Sequence, residues 1–533
     1  MKKILGGILI ASAAMAVPTA AFSKTFVYCS EASPEGFDPS HYTAGTTFDA
    51  SAHPIYNRLL DFRPGTTEII PSLAERWEVS PDGKEYTFFL RKGVKWHANE
   101  TFTPTREFNA DDVIFTFERQ GDPENPWHEY LPGTSYEYYH SMEFDTLIDA
   151  IEKVDDHTVR FKLSRPEAPF LSTVGLHFTS ITSKEYADQL QQLGRQADFN
   201  SLPIGTGPFK FVAYQQDAAI RYQKNPDYWG EKAKIDDLLF AITPDAAVRL
   251  QKLRSGECHL MPYPSPADLD EIRADPQLKL EEEAGLNVGY LAYNTQMAPF
   301  DNPKVRKALN MAMNKQAIVD SVFLGGALPA KNPIPPTMWS FNDRVVDDPY
   351  DPEAAKKILE EEGVRDLKMN LWAMSAQRPY MPNGRRTAEI MQADLAKVGV
   401  TAEIVSFEWG EYLSKSMEPG RDGAVILGWT GASGDPDNFL SVLLTCAGAG
   451  SGGANRAFWC NEEFSALVAE AKVNADMGAR TRAYEKAQEV FKREAPWFTI
   501  AHSTQYVPMR KEVEGFVVSP LGDYTFDTVD LAE

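Results

Sequence analysis

The chain has 533 residues, of which 43% are hydrophobic and 24% charged. That length exceeds one ordinary core and implies about two to four domains of a globular protein. A formal net charge of −23 disfavours nucleic acid and anionic membrane as partners.

Lys2 and Lys3 precede an apolar run over residues 4–17, and Ala21-Phe22-Ser23 places small residues beside a cleavage point. Residues 1–23 therefore read as a secretory leader cut after Ser23, with no cysteine there to carry a lipid. No other apolar run is long enough to span a bilayer. In an exported chain, Cys29, Cys258, Cys446 and Cys460 imply two disulfides with three possible pairings. Cys446 and Cys460 flank a Gly/Ser/Ala-rich loop, where a local bridge would contribute about 3 kcal/mol and leave Cys29 with Cys258. No CxxC or HxH spacing exists, so no metal site is expected.

Residues 24–30 read as a strand entering the core. A Gly/Thr/Pro-rich loop follows over 34–49. Its Thr43-Ala44-Gly45 part is suited to bringing backbone groups against a ligand. Residues 51–60 look helical. The alternation over 70–96, broken by Ser80-Pro81-Asp82-Gly83, predicts a hairpin. Asn109 or Asp111 caps a helix from Asp112. Residues 121–140 read as a surface loop and 158–163 as a strand. Ile204-Gly205-Thr206-Gly207-Pro208 turns the chain between domains and is not a phosphate loop, since no Lys-Ser/Thr follows it.

Strands are then expected at 221–224, 238–242, 278–283 and 287–294, with helices at 246–254, 305–313 and 352–362. Residues 369–374 read as a strand, followed by a loop with Arg378 and Tyr380. An amphipathic helix with Ala388, Met391, Leu395 and Val398 on one face comes next. Residues 401–407 form a further strand, followed by Trp409 and Tyr412. The short apolar run 424–427 reads as a buried strand that presents Trp429, Thr430, Gly431 and Ala432. Asp435-Pro436 starts the next helix. If these strands are parallel, Arg378 and the 428–439 loop open on one sheet edge, where α/β folds bind ligands. Helices at 464–472 and 479–493, separated at Gly478, and strands at 497–501 and 513–516 complete the chain.

Several stretches carry a resemblance. They are 73–83, Arg91-Lys92-Gly93-Val94-Lys95-Trp96-His97, Ala110-Asp111-Asp112-Val113, 203–209, Tyr228-Trp229-Gly230, 285–290, Gln377-Arg378-Pro379-Tyr380 and Gly434-Asp435-Pro436-Asp437-Asn438. Each is weak alone; in this order, from Val27 to Val518, the chain resembles the periplasmic dipeptide-binding proteins of bacterial ABC importers, solute-binding family 5. The resemblance implies an α/β fold of two lobes, the cluster C type of periplasmic binding protein, with an inserted subdomain. Lobe I would be 24–55, 203–285 and 506–533, the insertion 56–202, and lobe II 286–505. It also implies disulfides Cys29–Cys258 and Cys446–Cys460, closure around a ligand, and docking on a membrane permease.

Carried over position by position, Arg378 would hold the ligand's carboxylate, which its planar fork suits. Tyr380, the 43–45 backbone and Trp429 would contact the ligand. The family pattern Trp-Thr-Gly-Asp uses its Asp for the peptide's amine; this chain has Trp429-Thr430-Gly431-Ala432. Losing such a partner costs about 2–5 kcal/mol. The expected ligand is therefore a dipeptide or a peptide-like molecule such as glutathione, with a carboxylate and an α-amine absent or displaced. Asp435 reads as a helix cap; Glu408 is a second acid within reach. A monomer in the periplasm is expected, without cofactor.

Two other classes compete. A secreted hydrolase needs a positioned base, but His97, His140, His177, His259 and His502 lie outside any GxSxG or HExxH motif and read as structural. A haem-binding import protein would draw on His41, Met374 or Met381; the two methionines read as packing and His41 as loop surface.

Overall fold

The computed structural model describes residues 23–450 and 453–532, so the expected leader lies outside the described residues except for Ser23. Among the described residues no helix is long and apolar enough to cross a membrane.

The first sheet runs, in spatial order, Thr25–Tyr28, Asp237–Ala241, Ala219–Lys224 and Phe209–Gln215. Its first two strands are parallel, with Val27 opposite Leu239. Phe26, Tyr28, Tyr222 and Phe240 are buried on it, and the C-terminal Tyr524 and Phe526 complete that core. The end of the chain thus closes over its beginning. A second, antiparallel sheet orders Ala74–Val79, Glu85–Leu90, Thr158–Leu163 and Ile148–Asp155. The helix Ala110–Gly121 packs on it, started by a capping box in which Asn109 accepts from Asp111 N and Asp112 accepts from Asn109 N.

The third sheet has seven strands. Asn287–Tyr293 is buried along its whole length. It pairs antiparallel with Ala424–Thr430 on one side and with the start of Trp497–Arg510 on the other. Lys368–Trp372 is parallel to both Thr401–Val405 and Ala424–Thr430, so three consecutive strands end on one edge. The strand Trp497–Arg510 pairs first with 287–293 and then with Leu278–Ala284. It therefore runs from one core into the next.

Some elements differ from the sequence reading. The helix expected at 51–60 lies at Gly45–Ala50, followed by turns. The 121–140 loop ends in a short helix, Glu137–Ser141. Gly478 sits in the first turn of Met477–Glu494, which Asp476 caps; the break is at 473–476. The strand expected to end at Ala501 continues to Arg510. The two disulfides are Cys29–Cys258 and Cys446–Cys460, with Cα separations of 5.8 and 4.3 Å.

Candidate functional site

The end of Ala424–Thr430 and the segments that follow the other two parallel strands form one wall of a cavity of about 860 Å³, counting its mouth. A cleft of this size suits a small organic ligand. Thr43, Ala44, Gly45, Arg378, Tyr380, Trp429, Thr430 and Ala432 all line it. Gly431 does not: its N–H donates to Leu286 O at 2.7 Å, and the Phe439 ring closes over its α-carbon.

Arg378 and Tyr380 sit on a tight loop in which Arg378 and Met381 exchange backbone hydrogen bonds of 3.2 and 2.9 Å. The loop crosses the sheet over paired glycines, Gly289 and Gly428. A Cβ on Gly428 would lie 2.1 Å from the Tyr380 ring, and one on Gly289 would lie 2.3 Å from Tyr380 O. Only bare backbone lets the loop lie this low. Trp429 is fixed by donating Nε1–H to Asn438 Oδ1 at 3.1 Å, and the same oxygen accepts Ala432 N–H at 2.8 Å. Asn438, fully buried, was not singled out in the sequence; its only signal was its place after Gly434-Asp435-Pro436-Asp437.

Arg378 already has a protein counterion. Its Nη1 donates to Glu31 Oε1 at 2.7 Å and to Gln377 O, and its Nη2 to Thr46 Oγ1 at 2.8 Å. Of five donors, two remain, and the Tyr380 hydroxyl lies beside the same group. The guanidinium stacks near Trp409, 4.8 Å from the ring centre. A second cavity arginine, Arg456, pairs with Glu137 at 3.0 Å. Burial raises the Glu137 carboxyl and Arg456 opposes this.

Asp435 and Glu408 do not reach the cavity. Asp435 binds Arg480 at 2.7 Å and accepts Asp437 N–H; it lies one residue ahead of the N-cap, which is Pro436 and not Asp435 as expected, because the helix begins at Asp437. Glu408 caps the helix Trp409–Ser416. Among the described residues lining the cavity, Asp523 is the one carboxylate. His53 Nε2 and His177 Nε2 each lie 3.3 Å from its Oδ1, a juxtaposition that no sequence spacing announces. Burial pushes the His177 imidazole down to about 4, so it is neutral at pH 7. Burial pushes the Asp523 carboxyl up, but the two imidazoles more than offset this and hold it below the usual carboxylate range.

His41 is buried rather than on the loop surface. It stacks on Tyr136 with centroids 4.2 Å apart and contacts Thr134 Oγ1 at 3.0 Å. Met374 and Met381 are buried in the core. None of the three lines the cavity.

The family model for bacterial extracellular solute-binding proteins, family 5, matches residues 68–451. A dipeptide-binding protein of Escherichia coli is 53% identical over 97% of this chain and 96% of its own length. Heme-binding protein A of Haemophilus influenzae is 46% identical over 94% and 91%. The crystal structure of a dipeptide binding protein from a Pseudoalteromonas species, in complex with Met-Leu, superposes with a TM-score of 0.92 at 40% identity. It covers 96% of this chain and 100% of that one. The fold is thus the two-lobed α/β architecture of periplasmic peptide-binding proteins, and the chain belongs to the bacterial extracellular solute-binding proteins of family 5, receptors rather than enzymes.

Proposed function

We propose that this protein is the extracytoplasmic receptor of an ABC importer, capturing a short peptide or peptide-like ligand in the cavity and presenting it to the membrane permease. It works as a monomer in the periplasm after removal of residues 1–23. Its lobes follow the divisions 24–55, 203–285 and 506–533 against 286–505, with 56–202 inserted in lobe I. The observation that carries the reading is the low Arg378–Tyr380 loop over Gly289 and Gly428, which aims a buried guanidinium into a cavity walled by Trp409 and Trp429. Arg378 receives the ligand's carboxylate on the N–H groups that Glu31, Gln377 and Thr46 leave over, while Thr43, Ala44 and Gly45 face the ligand from the other lobe.

Sharing Arg378 with Glu31 has a consequence. The N–H groups left over on Arg378 can only donate, so a carboxylate, which only accepts, suits both of them, whereas an amide end turns N–H donors of its own toward them. Calorimetry with Met-Leu and with its C-terminal amide tests this. Amidation is expected to weaken binding at least 30-fold, the equivalent of about 2 kcal/mol. Equal affinity for the two would refute the carboxylate assignment. Native mass spectrometry of the purified protein, read for co-purified molecules, identifies the natural ligand. The side chains that the haem reading would draw on, His41, Met374 and Met381, lie off the cavity.

A further inference from the structure

A peptide carries a cation as well as a carboxylate, and a cation taken out of water needs a counterion. Position 432 offers only a methyl group. Asp435 is held by Arg480, and Glu408 by the helix it caps. The cavity's arginines are each matched to an acid of their own, Glu31 and Glu137. Asp523 is the one carboxylate lining the cavity among the described residues, and neither a lysine nor an arginine is paired with it there.

Its setting is built rather than incidental. The turn that carries it is closed by Gly522 N–H donating to Ser519 O, with Gly522 at a φ of 79°. A Cβ on Gly522 would touch Thr430 Cγ2 at 3.0 Å, so the turn is seated against the end of the strand that presents Trp429. His177 is locked by stacking on Phe48, with centroids 4.2 Å apart and an interplanar angle of 16°. Both imidazoles make their nearest approach at Oδ1, 3.3 Å away, and His53 Nε2 forms no hydrogen bond there, so the carboxylate keeps acceptor capacity. The side chain of Asp523 is 17% exposed while both histidines are 6% exposed, so the accessible part of this cluster is mainly the carboxylate.

We propose that Asp523 is the cavity's receptor for a ligand ammonium, taking it on the carboxylate that His53 and His177 flank, so that the ligand is gripped by charge at two ends, Arg378 and Asp523. This rests on the peptide reading. The ammonium is the α-amine or a basic side chain; both offer the same chemistry to the carboxylate. The counterion for a peptide's positive end has thus moved from the strand-end loop at 432 to the C-terminal turn.

The test is calorimetry on wild type and D523N with three probes: Met-Leu, N-acetyl-Met-Leu and N-acetyl-Lys-Leu. On the wild type, N-acetyl-Met-Leu is expected to bind at least 30-fold more weakly than the better of the two ammonium-bearing probes. In D523N that preference is expected to collapse to within about threefold, with binding of the blocked probe unchanged. Loss confined to Met-Leu assigns the α-amine; loss confined to N-acetyl-Lys-Leu assigns the side chain. Equal binding of all three probes by the wild type overturns the inference without any variant. So does an ammonium preference that survives in D523N. Binding of Met-Leu that EDTA abolishes and Zn2+ or Ni2+ restores makes the three side chains a metal site instead, and also overturns it. If no probe binds the wild type, the peptide reading itself falls.

Discussion

Gly428→Ala isolates the packing that places Arg378. The added methyl would stand 2.1 Å from Tyr380 Cδ2, 2.4 Å from Cγ and 2.6 Å from Cε2. Ordinary carbon contact begins near about 3.5 Å, so the ring must retreat by more than ~1 Å. It cannot swing aside cheaply. Tyr380 is buried, and its carbonyl carries the loop 2.3 Å from where a Cβ on Gly289 would lie, on the neighbouring strand. The whole Arg378–Met381 turn therefore lifts, and Arg378 separates from Glu31 and Thr46. Overpacking of this kind costs about 1–3 kcal/mol of stability. The ligand loses more, because a guanidinium displaced from its carboxylate forfeits about 2–5 kcal/mol, or at least 30-fold in affinity. Urea unfolding gives the first number and calorimetry with Met-Leu the second. An alanine variant that keeps wild-type affinity within threefold would refute the claim that the paired glycines set the height of the binding loop.

Three further outcomes follow from buried groups. Arg119, fully buried, holds Asp38 with hydrogen bonds of 2.6 and 2.8 Å and thereby ties the 38–41 segment to the end of helix Ala110–Gly121; R119M should cost about 3–5 kcal/mol by stranding that carboxylate, R119M/D38N should recover part of it, and a single variant losing under ~1 kcal/mol in urea titration would contradict this. Burial pushes the imidazoles of His97 and His502 down to about 4; each meets a backbone carbonyl through one nitrogen, Gly207 O and Asn287 O, and has no partner at the other. Because the unfolded value is about 6.5, the unfolded chain takes up protons first, so stability is complete above about pH 6.5 and falls by about 1.4 kcal/mol per unit per histidine down to about pH 4. The variant H97Q/H502N should show a loss between pH 7 and 5 smaller by about 4 kcal/mol, and an unchanged slope would count against it. Asn287 joins the two crossings between cores, donating to Ser503 O and accepting Ser503 N–H, both at 2.9 Å; N287A should cost about 1–3 kcal/mol and speed hydrogen exchange at 285–287 and 503–505, whereas unaltered exchange there would remove its role as the clamp.

What the sequence made legible depended on how far each signal reaches along the chain. The strand at 424–427 announces itself by a short apolar run between turn residues, and 369–374 and 401–407 read as strands on either side of an amphipathic helix. Their parallel pairing put Arg378, Tyr380 and Trp429 at one cavity, as the sheet-edge argument required. The true length of Trp497–Arg510 was hidden because most of it is buried on both faces, which erases the alternation that marks a strand. The helix at Gly45–Ala50 was hidden for the opposite reason: its six residues include a Gly and two Thr, and tertiary contacts rather than propensity hold it. The charges of the site were least legible of all. Glu31 meets Arg378, Glu137 meets Arg456, and His53, His177 and Asp523 converge from three separate segments, and no local pattern records such meetings. Reading position 432 alone suggested a cavity without a carboxylate for a cation. Folding brings one from the far end of the chain, because Tyr524 and Phe526 must return to the first sheet to complete its core and carry Asp523 to the cavity wall on the way.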